Sequence, residues 1–184
     1  YNIPQKFILY LGTFQPRKNL PTLVEAFASL NERKSYKLIL AGDRNGYNFD
    51  SKVDTVIEKN SLETEVFFPG FIENKDKAAL YNCASVFVYP SLYEGFGIPI
   101  LEAFASQTPV IASFIAPHQE IAKDAALFFN PNEPNELSVK ISKILSDEKL
   151  KNHLVSKGKR QLEKFSWLKS AKKIKSIYDT LFAS

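Results

Sequence analysis

The chain has 184 residues, 45% hydrophobic and 24% charged, with a formal net charge of +4. That balance belongs to a globular domain with a sizeable core and excludes a disordered chain. No apolar run reaches the roughly 18 to 20 residues of a membrane-spanning helix, and the charge is too mild to mark a nucleic-acid binder. Asn2, Pro4, Gln5 and Lys6 break up any secretory signal at the start, and one cysteine, Cys83, forbids an internal disulfide and fits a reducing compartment. The expectation is a cytoplasmic domain. Methionine is absent and the first residue is Tyr1, so the further expectation is one domain, residues 1–184, cut from a longer chain.

The chain opens on a β-rich run, Phe7–Leu11, followed by a helix in which Leu20, Leu23, Val24, Phe27 and Leu30 recur at helical spacing. A strand at Lys37–Ala41, a helix near Val53–Glu58, a strand at Val66–Phe68 and a helix near Lys75–Cys83 come next. Strand Val86–Tyr89, helix Ile98–Ser106, and strands Val110–Ala112 and Ala126–Phe129 follow. Helices near Glu136–Leu145, Lys149–Lys164 and Trp167–Phe182 close the chain, the last with Ala171, Ile174, Ile177, Tyr178 and Leu181 on one side. Strands alternating with helices predict a doubly wound α/β fold, a parallel sheet of about six strands with helices on both faces. The unbroken apolar character of the strands agrees, because both faces of such a sheet are covered. Ten Lys or Arg fall between Lys149 and Lys175. They read either as the solvated face of the terminal helices or as an attraction to anionic lipid head groups at a membrane surface or to a partner.

Open parallel sheets bind ligands outside the carboxyl ends of their strands. The loops to search therefore begin at Gly12, Gly42, Pro69, Pro90 and Ser113. The richest follows the fourth strand and contains Glu94-Gly95-Phe96-Gly97-Ile98-Pro99 with Glu102 in the helix beyond. Gly95 and Gly97 permit close approach of a ligand to the backbone, and Pro99 suits a first helical turn. The free amides near Gly97 and Ile98 would make a phosphate seat. Glu94 and Glu102 flank it, and a carboxylate there can accept bonds from a diol. The loop after the first strand, from Gly12 and Thr13 to Arg17, Lys18 and Asn19, brings the opposite charge to the same edge, where it could clamp a diphosphate.

Several chemistries lack their residues. There is no Gly-x-x-x-x-Gly-Lys loop, no complete Gly-x-Gly-x-x-Gly, and no Asp-x-Asp pair to hold Mg²⁺. His118 and His153 have no Cys or His partner at metal-ligand spacing, and Ser91 lacks the Gly-x-Ser-x-Gly frame of a hydrolase. No metal site is expected, so phosphate charge would fall to Arg, Lys and backbone amides.

Glu94-Gly-Phe-Gly-Ile-Pro-Ile-Leu-Glu102 resembles the E-x7-E motif of retaining glycosyltransferases with the two-domain GT-B architecture. Supporting pieces, in order, are Tyr10-Leu-Gly-Thr13, Pro16-Arg-Lys-Asn19, Leu40-Ala-Gly-Asp43, Phe68-Pro-Gly-Phe71, the run from Leu80 to Ser91, Thr108-Pro-Val-Ile-Ala-Ser113 and Phe165-Ser-Trp167. The resemblance covers nearly the whole chain, as the carboxyl-terminal donor-binding half, Rossmann-like, with the amino-terminal acceptor domain absent. It implies that Lys18 and Arg17 bind the donor diphosphate beside Gly12 and Thr13. It further implies that Glu102 holds the ribose, that Glu94 touches the sugar near its reacting carbon, and that Gly70-Phe71-Ile72 lines the base. The implied donor is a GDP- or UDP-sugar without a metal; the first loop's style suggests mannose from GDP-mannose. The implied acceptor is a surface polysaccharide or lipid-linked glycan at the inner membrane face. Departures are Thr13 where many relatives carry Arg, Phe114–Gln119 in place of the commoner pattern, which puts a role for Glu120 in doubt, and Lys123 where glycine is usual. The same architecture would also serve a sugar-nucleotide epimerase, and the fold alone would serve a non-catalytic interaction module.

Overall fold

The computed structural model describes residues 1–44, 46 and 48–182. Among these residues six parallel strands form one sheet: β1 (Phe7–Leu11), β2 (Lys37–Ala41), β3 (Val66–Phe67), β4 (Val86–Tyr89), β5 (Val110–Ser113) and β6 (Ala126–Phe129). Their spatial order is β3-β2-β1-β4-β5-β6. The chain winds outward one way from β1 and the other way from β4, which makes the carboxyl ends of these two central strands the switch point of the sheet, the place where open α/β sheets bind ligands.

The helices are α1 (Leu20–Ala28), α2 (Lys52–Lys59), α3 (Asn74–Cys83), α4 (Ile98–Ala105), α5 (Ala116–Ala122), α6 (Pro134–Ser146), α7 (Glu148–Leu162) and α8 (Trp167–Phe182). One group, α6-α1-α2, packs side by side, and a second group joins α3, α4, α5 and α7. Between these layers β1 and β4 are buried along their whole length, as their unbroken apolar sequences require. In α1 the buried positions Leu20, Leu23, Val24 and Phe27 form one stripe, with Leu30 buried just beyond the helix end. No helix among the described residues is long and apolar enough to cross a membrane, and α8 has none of its residues buried.

The expected alternation holds with local differences. β3 ends at Phe67 rather than Phe68, and β5 extends to Ser113. Helix α5 has no counterpart in the periodicity reading. It is seven residues long, too short for a repeat to show, and its Pro117 reads as a breaker until it is seen at the first turn, where a missing N–H costs nothing.

Lys123, at the end of α5, has φ +50° and ψ −121°, a conformation that a Cβ disfavours and that explains why glycine suits this position. Lys123→Gly should therefore stabilise the domain by about 1 kcal/mol, raising Tm by about 2–4 °C in a calorimetric scan. An unchanged or lower Tm would contradict the strain.

Candidate functional site

At the carboxyl edge of the sheet the loops are tight. The Gly12 N–H bonds the Ala41 carbonyl at 3.0 Å, and the Gly42 N–H bonds the Gly70 carbonyl at 2.9 Å. Gly42 has φ +147°, and a Cβ there would lie 1.9 Å from the Gly12 carbonyl oxygen. The buried Tyr10 donates its hydroxyl to the Thr13 carbonyl at 2.6 Å, and a Cβ on Gly12 would come within 2.7 Å of that hydroxyl. The two glycines thus let the loops after β1 and β2 close on each other. In the next turn Phe71 is 70% exposed while Ile72 is buried, so Phe71 offers the open ring of that turn.

Pro16–Lys18 make one 3₁₀ turn, ended by Asn19 in the left-handed conformation (φ 56°, ψ 38°). Asn19 Nδ2 donates to the carbonyls of Pro90 (3.2 Å) and Pro131 (2.8 Å), while its Oδ1 accepts from Thr22 at 2.8 Å. The Leu92 N–H bonds the Arg17 carbonyl at 2.8 Å. The bonds to Pro90 and from Leu92 staple the loop after β1 to the loop after β4 and so bring Lys18 to Glu94, while the bond to Pro131 ties the first loop to the loop after β6.

Lys18 is 6% exposed. Its ammonium donates to Glu94 Oε1 and to the Tyr89 hydroxyl at 2.9 Å, and lies 4.9 Å from the centre of the Tyr89 ring. Tyr89 in turn donates its hydroxyl to Glu94 Oε1 at 2.8 Å. Arg17 Nη1 stands 3.0 Å from Glu94 Oε2 and 3.4 Å from the Tyr93 carbonyl. One carboxylate therefore gathers two cations and a phenol.

Burial depresses the Lys18 ammonium below the ordinary lysine value against the pull of Glu94. Burial would raise Glu94, but hydrogen bonding from Lys18, from the nearby Ser91 hydroxyl and from Tyr89, together with the Lys18 charge, outweighs it and holds the carboxyl below its usual range. Burial, then the Glu94 charge, push the Tyr89 phenol far up. The cluster is thus ammonium, carboxylate and neutral phenol. Because the Glu94 value is depressed, its contribution to stability is present above the ordinary carboxylate range and is lost as pH falls through the lowered value.

Glu102, the other acid of the spaced pair, is held in the same manner: the buried Tyr81 donates its hydroxyl to Oε2 at 3.0 Å. Rings join the two sites, since Tyr81 meets Phe87 edge-on at 5.1 Å and Phe87 stacks on Tyr89 at 5.8 Å. The row ends at His118, 5.0 Å from Tyr89, fully buried with Nδ1 3.2 Å from the Ser113 carbonyl. Burial lowers His118 to about 4, so it is neutral at physiological pH. Gly97, with φ +130°, opens α4; Pro99 has no N–H and the Ile100 N–H bonds the Gly97 carbonyl at 3.0 Å, which leaves the Ile98 amide as the first-turn donor without an intrahelical acceptor. Phe96 and Ile98 beside it are about half exposed.

The structure therefore unites Arg17, Lys18 and Glu94 in one cluster, sets Gly95–Ile98 at the next helix start, and places Glu102 behind Tyr81. Gly12 and Thr13 lie in the loop leading to the cations, and the Gly70–Ile72 turn is tied to that edge through Gly42. Sequence reasoning gave no role to Tyr81, Tyr89 or His118, and used Asn19 only as part of a motif. The available signal was phenols inside otherwise apolar core segments, where a hydroxyl needs a partner. Among the described residues no group of three or more His, Cys, Asp or Glu is placed to hold a metal ion.

Residues 2–161 match the family profile of Glycosyl transferases group 1. The chain belongs to this family. It is 37% identical over 165 residues to the O-antigen chain mannosyltransferase B of Escherichia coli, a match covering 89% of this chain and 43% of that protein. Sucrose-phosphate synthase from Thermosynechococcus elongatus superposes with a TM-score of 0.88 at 31% identity, over 99% of this chain and 47% of that one. Alr3699/HepE of Anabaena, solved with UDP and glucose, shares the fold at a TM-score of 0.83 and 21% identity, over 95% of this chain and 48% of that one. The group 1 domain thus has the Rossmann-like α/β fold of GT-B glycosyltransferases, and it spans less than half the length of these relatives.

The stapling of this domain's site by Asn19 gives a direct expectation. Asn19→Ala loses two cross-loop bonds and puts a Cβ without a polar handle in the left-handed region, costing about 2–3 kcal/mol in urea unfolding. Asn19→Gly should recover only the backbone share, about 1 kcal/mol. Equal losses for the two variants would show that the bonds to Pro90 and Pro131 hold nothing.

Proposed function

We propose that this domain binds the donor of a glycosyl transfer, seating the diphosphate of a sugar nucleotide on Lys18 and Arg17 and turning the hexose toward Glu94. The observation that carries the reading is the Lys18–Glu94 cluster at the carboxyl ends of β1 and β4, the switch point of the sheet. A buried ammonium beside an exposed guanidinium supplies two cations of different reach, suited to a diphosphate whose charge grows as the glycosidic bond breaks. Amides at the start of α4 supply further donors near Gly97 and Ile98, with Gly12 and Thr13 on the opposite lip. Glu94 lies where a negative group would favour the positive charge that develops on a sugar ring during transfer. Glu102 would accept the ribose hydroxyls through the oxygens that Tyr81 leaves open, and Phe71 would stack on the base. In this reading the cations do the work that a metal does elsewhere.

The proposed reaction retains the anomeric configuration and moves a hexose, mannose from GDP-mannose, to a glycan or lipid-linked acceptor held by a separate acceptor domain. The mannosyltransferase relative supports the sugar, and the UDP complex of the structural neighbour supports the nucleotide class. Nothing in the comparisons favours an epimerase or a non-catalytic module.

Calorimetric titration of the domain with GDP, UDP and ADP tests this, with a chelator present throughout. At least one nucleotide should bind, GDP most tightly. Lys18→Ala should weaken the diphosphate about tenfold or more while the parent nucleoside changes by less than about twofold. Silence with all three at millimolar ligand would refute the reading, and equal losses for diphosphate and nucleoside would remove Lys18 from the phosphate.

A further inference from the structure

We infer that Tyr89 is a positioning residue that keeps Glu94 in place once the donor diphosphate has drawn Lys18 and Arg17 away from it, an inference that rests on the donor-binding reading above. Three groups contact Glu94 directly in the free domain, Lys18 and Tyr89 on Oε1 and Arg17 on Oε2, with the Ser91 hydroxyl close by. Two of them are the cations that a diphosphate would claim, and a diphosphate is a stronger acceptor than a single carboxylate. As those bonds slacken, Glu94, whose side chain is only 11% exposed, would become a largely buried carboxylate beside a new anion. Such a group takes up a proton or swings into water. The Tyr89 hydroxyl, 2.8 Å from Oε1, is the neutral donor that stays bonded, with the Ser91 hydroxyl beside it as a weaker support, and the ligand has no electrostatic call on either.

Tyr89 is built for that task. It is the last residue of β4, in register with Ala112 on the neighbouring strand, and it is 2% exposed. Its ring lies between Phe87 and His118, and His118 is itself pinned to the Ser113 carbonyl. Burial keeps the phenol protonated far beyond neutral pH, so the hydroxyl donates wherever the domain is folded. The ring face also gives Lys18 a contact at 4.9 Å that survives separation from Glu94.

Tyr89→Phe keeps the ring and removes only the hydroxyl. In a domain labelled with carboxyl-¹³C glutamate, NMR titration reads the Glu94 pKa with and without saturating nucleoside diphosphate. The variant should raise that pKa slightly in the free domain, where Lys18 and Arg17 still pair with it. In the complex the rise should reach about one unit or more. Affinity for the nucleoside diphosphate should stay within about twofold, while the extra affinity contributed by the hexose falls about fivefold. 3-Fluorotyrosine at position 89 keeps the shape and the hydroxyl but makes it a stronger donor, and should move Glu94 the opposite way. It serves equally if the Phe variant does not fold. A Glu94 shift of the same size in free and bound domain, or no shift with either variant, would overturn the inference while leaving diphosphate binding intact. Absence of nucleotide binding would instead fell the donor reading, and this inference with it.

Discussion

One ion pair ties the site together. Lys18 comes from the loop after β1 and Glu94 from the loop after β4, the two strands at which the chain reverses its direction of winding. A parallel sheet opens a crevice at that point whatever its sequence, but a crevice is only a gap between loops. The pair, with Arg17 beside it and Asn19 stapling the backbones beneath, makes the gap a site of fixed geometry and defined charge. Two cations meeting one carboxylate leave the cluster with a surplus positive charge, which suits an incoming anion.

The same economy recurs at each acid of the spaced pair. Glu94 and Glu102 each accept a bond from a buried tyrosine, and the row of rings from Tyr81 through Phe87 to Tyr89 links one to the other through the core. A tyrosine suits such a place because its ring packs as a core residue while its hydroxyl reaches the polar edge. The site is therefore built outward from the hydrophobic interior, and its acids stand on phenols that burial keeps neutral.

Much of this was legible in the sequence. Strands such as Phe7–Leu11 and Val86–Tyr89 announce themselves by apolar runs between turn residues, and the α1 stripe by its spacing. The edge of the sheet that carries function follows from topology alone, and Arg17, Lys18 and Glu94 were on it. The family resemblance added what spacing cannot, an assignment for each acid. Helix α5 escaped because seven residues carry no period and Pro117 disguises its start. The contacts of Tyr81 and Tyr89 escaped for a different reason: they join residues brought together only by tertiary packing, and no local pattern distinguishes a phenol that holds a carboxylate from one that fills space. Lys123 lies between these cases. Its oddity was visible as a lysine in a glycine position, and its cause, a positive φ, was visible only in three dimensions.

The central claim is that Glu94 and the donor diphosphate compete for the same two cations. Affinity of Glu94→Gln for the nucleoside diphosphate, measured by calorimetry against the unaltered domain, tests it most directly. Removing the carboxylate charge while keeping its shape frees Lys18 and Arg17, so the variant should bind about tenfold more tightly, or about 1.4 kcal/mol. Unchanged or weaker binding would contradict the account.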